Sequence, residues 1–212
     1  MPTFEMINSK LLCVRLNNEE VFTKRGAMIA YKGNVNFAKS SGGAGFGQAA
    51  MRAVTNENLK LMVSRGTGEV FYAYLGKHVT LIKLNGERFY AESESILAYD
   101  SRLRAGTEFM GNQGGMSGLV RGAVTGQGLF TTTLEGHGEL AVLSDGDMIG
   151  IDVNPSNPVF VDPDAYIGHR GQLSSSIKTD VSWKTFVGQT SGESYQLQFT
   201  GNGTVYIQAS ER

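Results

Sequence analysis

Cysteine is almost absent. Cys13 is the only one in 212 residues, which excludes a disulfide within the chain and any metal site built from several thiolates. Proline is scarce as well, with four residues, so few positions of a sheet would lack a backbone donor. Histidine occurs three times, at His78, His137 and His169, with no His-x-His pair, which argues against the metal-binding pattern of double-stranded β-helix oxygenases and isomerases. Neither sign of charge dominates: the net charge is -1 and the pI is near 6.3. Nucleic acid and anionic lipid are therefore disfavoured as partners. No window approaches the ~18 consecutive apolar residues of a membrane span. The opening MPTFEMINSK lacks a basic region followed by an apolar core, so a soluble, cytoplasmic chain is expected.

What is present is β-forming material. Short segments of β-branched and aromatic residues (LLCVRL, EVFYAYL, VTLIKL, ELAVLS, NPVFV, TVYIQA) are punctuated by 28 glycines, the pattern of an all-β protein. The order comes from internal repetition. Displaced by 70 residues, the stretch 52–73 falls on 122–143 without a gap, and Gly66/Gly68 coincide with Gly136/Gly138. Displaced by 68, the stretch 11–31 falls on 79–99, and both end in apolar-apolar-Ala-Tyr. A third Gly-x-Gly, Gly201/Gly203, follows in the C-terminal segment. These six glycines are expected at structural turns or at close approaches between strands.

The predicted architecture is one domain of three pseudo-equivalent repeats, each a small sandwich or double-stranded β-helix-like unit, closed into a pseudo-threefold ring with short helical connectors. The expected boundaries are a split unit of 4–42 plus 181–212, a second of 43–112 and a third of 113–180. The connector segments 43–48 and 113–118 align with each other, so the glycine-rich stretch SSGGAGFG at 40–47 reads as a recurring connector. A dinucleotide loop would need a βαβ context that the sequence does not offer.

The repeat comparison also weighs each candidate for chemistry. Glu135-x-His137-x-Glu139 aligns three possible ligands on a strand, yet Thr67 and Asn202 stand at the positions equivalent to His137. The three histidines occupy three different positions of the repeat, so no symmetric three-histidine site is expected. Asp162 and Asp164 flank Pro163 as a paired-carboxylate candidate, with a charged surface turn as the plainer reading. Cys13 aligns with Leu81 and Ile151, which predicts an inert buried thiol. Trp183 is expected to pack beneath the third connector. No catalytic residue, metal ligand or cofactor is predicted.

The segments GQGLF and LEGHGELAVLS at 126–144, with the ending FTGNGTVYIQASER, resemble the family named for altered inheritance of mitochondria, member twenty-four. The resemblance covers nearly the whole chain. It implies a fold like the tryptophan RNA-binding attenuation protein, used three times in one chain, and supplies no catalytic residues. Mitochondrial members are implicated in an inner-membrane organising complex, but this sequence opens without an Arg-rich presequence. The functional expectation is a non-enzymatic scaffold or assembly protein, a homo-oligomer with a possible protein partner. The alternative is a module for a small ligand or RNA, against which Arg15/Lys83 aligns with Val153, and Arg65 with Glu135 and Thr200. Lys32, Asp100 and Arg170 follow the aligned aromatics Tyr31, Tyr99 and His169, and are expected on a recognition surface.

Overall fold

The computed structural model describes residues 1–40, 61–110, 130–179 and 195–210. Within them the chain is all β. Its strands are β1 (Thr3–Asn8), β2 (Leu11–Lys24), β3 (Met28–Lys39), β4 (Leu61–Tyr72), β5 (His78–Glu92), β6 (Ile96–Asp100), β7 (Arg104–Phe109), β8 (Phe130–Ser144), β9 (Ile149–Val153), β10 (Val159–Val161), β11 (Tyr166–Thr179) and β12 (Tyr195–Ile207). All pairings are antiparallel, in a 12-stranded sheet whose main path runs β10-β12-β11-β5-β8-β6-β2-β4-β3. The only helical turns among the described residues are two 3-10 turns, Ser93–Ser95 and Pro163–Ala165. The connectors expected at 43–48 and 113–118 lie outside the described residues, as does Trp183.

Three long strands organise the sheet. β4 lies between β2 and β3, β8 between β5 and the successive strands β6 and β7, and β12 between β9–β10 and β11. Bulges interrupt the first ladder of each of the first two sets, between Asn17 and Glu19 and between Asn85 and Arg88. There Asn18 (φ 57°) and Gly86 (φ 106°) take positive φ, and beyond the bulge each strand keeps its partner and gains a second neighbour, β6 beside β2 and β11 beside β5.

The expected closure does not occur among the described residues. β12 pairs with strands from 149–179 and with none of β1, β2 and β3, so the split unit of 4–42 with 181–212 is corrected. The physical reason is proximity along the chain: β9 and β10 close a shorter loop onto β12 than any N-terminal strand would. Among the described residues, the main path of the sheet therefore ends at β10 and at β3.

The core forms three clusters. β8 is buried on both faces: Ala141 and Leu143 enter the first cluster, Leu140 and Val142 the second. β6 divides in the same way, Leu97 and Ala98 against Ile96 and Tyr99. Apolar side chains on both faces explain why ELAVLS and ILAY lack an alternating polar pattern. The third cluster, around Tyr166, Leu197, Phe199 and Val205, is smaller.

Candidate interaction surface

Two short seams join the three long-strand sets. In the first, Val21, Phe22 and Thr23 of β2 face Asp100, Tyr99 and Ala98 of β6. In the second, Phe89, Tyr90 and Ala91 of β5 face Arg170, His169 and Gly168 of β11. Each seam carries one aromatic stack, Phe22 on Tyr99 with centroids 5.1 Å apart and Tyr90 on His169 with centroids 4.3 Å apart. Such pairs add to the area that they bury. The first seam also has an ion pair with one buried partner: the buried Lys24 donates to the backbone carbonyl (3.1 Å) and carboxylate (2.5 Å) of the exposed Glu94 while lying over the Tyr74 ring. In the second, Gly168 is obligatory, because a Cβ there would stand 2.6 Å from the Tyr90 carbonyl oxygen and 2.7 Å from the Phe89 ring.

His169 is enclosed by Tyr90, Tyr166 and Phe199, and its Nδ1 shares a 2.6 Å hydrogen bond with the Tyr166 hydroxyl. Burial lowers its pKa to about 4, so the ring is neutral at physiological pH. The same burial pushes the Tyr166 phenol up. Neither group is poised to exchange a proton near neutrality.

An open cleft of about 780 Å³ runs beside the first seam, with Glu20, Arg65, Asp100 and Arg102 along it. Arg65 Nε donates to Glu20 (2.9 Å), and Arg102 Nε donates to the buried Asp100 (2.9 Å). A smaller cleft of about 350 Å³ beside the second seam holds Arg88 and Glu135 with the charges exchanged between strands. Arg88 Nη2 donates to Glu135 (2.7 Å), and Arg104 adds a second guanidinium (3.1 Å). Hydrogen bonding from Arg88 holds the Glu135 carboxyl below its ordinary range. These carboxylates are bound to guanidinium groups, which suits them to hold strands together rather than to abstract protons.

The sequence candidates fall into place as structural parts. The six Gly-x-Gly residues lie inside β4, β8 and β12, not at chain reversals, which corrects the turn assignment. They mark close approaches. A Cβ on Gly66 would stand 2.1 Å from the Asn34 carbonyl oxygen, one on Gly68 2.2 Å from that of Lys32, one on Gly201 2.2 Å from that of Gln172 and one on Gly203 2.2 Å from that of Arg170. Gly136 and Gly138 press instead on Arg102, Leu103 and Asp100. Of the Glu135-His137-Glu139 set, Glu135 is engaged as above, while His137 is exposed opposite Asn85. His78 meets Asp147 at 2.8 Å at the start of β5, whereas His169 of the neighbouring β11 pairs with Tyr90 near the other end of that strand. Asp162 caps its 3-10 turn by accepting from the Asp164 amide (2.9 Å). Cys13 is buried, and burial raises its thiol. The stretch 41–47 lies outside the described residues.

Asp100 differs from the expected surface position: it is buried against Gly138 and paired with Arg102. Lys32 is exposed and bound to Glu69 (2.9 Å), and Arg170 lies over the Tyr206 ring. Sequence reasoning missed Lys24, Phe22 and Tyr166. Their signal was available only as a pairing, since an isolated lysine or phenylalanine in a strand does not announce its partner.

The fold and its seams define an all-β protein held together by repeated edge-to-edge joints between strands. The sequence profile of the family described as Mitochondrial biogenesis AIM24 matches residues 4–210, and the chain belongs to that family. Among solved structures, it is similar to protein SPYM3_0169 from Streptococcus pyogenes, a crystal structure with a TM-score of 0.72 at 21% identity, covering 100% of this chain and 94% of that one. At that identity the likeness concerns the fold. No curated protein matches the sequence. No helix among the described residues is long and apolar enough to cross a membrane.

Proposed function

We propose that this chain is a non-enzymatic assembly protein, three equivalent β units fused in one polypeptide and working by protein–protein association in the cytoplasm. The observation that carries this reading is the seam built twice from the same parts: a three-residue antiparallel ladder with one aromatic stack. A fold that joins its own units through edges has the surface chemistry to join further copies or partners in the same way. The charged groups support it too. Arg15, Arg65, Arg88, Arg102 and Arg104 each pair with a carboxylate, leaving these guanidinium groups engaged instead of free for a nucleic-acid backbone. The family's description, mitochondrial biogenesis, is compatible with an assembly role. A second reading, a small polar ligand in the 780 Å³ cleft, has that cleft in its favour.

Light scattering across a concentration series tests the proposal. The expected result is a mass of two or more chains at tens of micromolar. A strict monomer that binds no partner from its native lysate, but takes up a small molecule saturably at Arg65 and Arg102, would replace the assembly reading with the ligand reading.

A further inference from the structure

Aligned positions that are buried at both seams stand exposed at the two ends of the sheet. Leu97 and Ile167 are fully buried, whereas the residue aligned with them, Ile29, is 58% exposed. Tyr99 and His169 are 3% and 4% exposed, and their counterpart Tyr31 is 51% exposed. At the opposite end Phe160 of β10, aligned with the stacking residues Phe22 and Tyr90, is 51% exposed. β6 is buried along its whole length, while the first residues of β3 are open from Ile29 to Lys32. The two ends therefore hold the two complementary halves of a third seam.

We propose that β10 of one chain pairs antiparallel with Ala30–Lys32 of a second copy, stacking Phe160 on Tyr31 and seating Ile29 against the third core cluster. This rests on the assembly reading above and names its surface. The register follows from the internal seams: Val161 opposite Ala30, Phe160 opposite Tyr31 and Val159 opposite Lys32. β10 is three residues long, bounded by Asn157-Pro158 and Asp162-Pro163, and each internal seam is also a three-pair ladder. Leu97 belongs to the core cluster of the preceding strand set and Ile167 to the second cluster, so Ile29 has its place in the third, which is the smallest. Charge follows the same logic. Asp162 stands where Lys24 stands in the first seam, and the exposed Arg25 adjoins the position aligned with Glu94, so the ion pair forms with its signs exchanged. Each chain bears one β3 end and one β10 end, so the association is head-to-tail and closes into a ring or extends as a filament.

The decisive experiment uses two variants at exposed positions, Tyr31→Glu and Phe160→Glu, with circular dichroism and cooperative urea unfolding to verify their folds. Each alone should be monomeric, its apparent dissociation constant raised ~100-fold or more. Mixed one to one they should form a dimer and nothing larger, because only one intact β3 end and one intact β10 end remain to meet. In parallel, Tyr31→Cys mixed with Phe160→Cys should give a covalent heterodimer under mild oxidation, a readout that does not depend on the glutamate variants. Variants that keep the wild-type mass, a mixture that stays monomeric and the absence of the crosslink each overturn the head-to-tail interface while leaving assembly by another face intact. A monomeric wild type overturns the head-to-tail interface, and one that also binds no partner from its native lysate overturns the assembly reading with it.

Discussion

At the scale of single residues, the second seam holds a histidine that folding keeps neutral. The folded His169 titrates near 4 against 6.5 for a free imidazole. Between those values the unfolded chain binds a proton that the folded chain refuses. Stability is therefore whole above 6.5, falls as the pH drops towards 4, and levels off below, for a loss of about 3 kcal/mol. Urea midpoints recorded across this range should fall steeply for the wild type and less for His169→Phe, which keeps a ring against Tyr90 without the titrating group. Equal slopes in the two proteins would place the acid sensitivity elsewhere. A second buried polar pair lies in the first strand set, where the Tyr72 hydroxyl donates to Ser64 Oγ at 2.7 Å and burial lifts its pKa to about 12. Tyr72→Phe should cost about 1–2 kcal/mol by leaving Ser64 without its donor. Adding Ser64→Ala to that variant should cost little more, since both partners are then gone. A double-mutant cycle from denaturant unfolding measures the coupling, and additive losses would contradict it.

At the scale of elements, glycine serves two purposes that only packing distinguishes. Gly26 and Gly76 occupy true reversals with positive φ and nothing within 4 Å of an added Cβ. Alanine there should cost about 1 kcal/mol, the strain of the left-handed backbone alone. Gly66 and Gly201 combine positive φ with a neighbouring carbonyl at 2.1 and 2.2 Å, so the chain cannot yield without parting β4 from β3 or β12 from β11. Gly66→Ala and Gly201→Ala should each lose more than about 3 kcal/mol, read from thermal or urea unfolding. Similar costs at all four positions would refute the distinction. The Gly-x-Gly spacing was legible in the sequence, as was the β character of nearly every strand that it punctuates. Its purpose was not, because a glycine at a turn and a glycine beneath a crossing backbone leave the same letter. The seams were legible in part: Phe22, Tyr90 and Phe160 align, as do Tyr31, Tyr99 and His169, but alignment alone does not say that the first set stacks on the second.

At the scale of the whole molecule, the closure drawn from the alignment does not occur among the described residues. Residues 149–161 align with 79–91 and pair with β12 as β5 pairs with β8, so the C-terminal strand has no need of the N-terminus. What repetition conceals is which copy stands at an end, and ends behave differently. β6 and β8 are buried between two core clusters, whereas β3 and β10 each have an open flank. Protection from hydrogen exchange should follow this order. Amides of Leu97–Tyr99 and Leu140–Leu143 should open only with global unfolding, while those of Ile29–Lys32 and Val159–Val161 should exchange early in a dilute sample. Raising the concentration should slow exchange at the two ends and leave the centre unchanged, because a docked copy covers only the ends. Exchange at Ile29–Lys32 as slow as at Leu97–Tyr99 in the Tyr31→Glu monomer would mean that these ends are already covered within one chain.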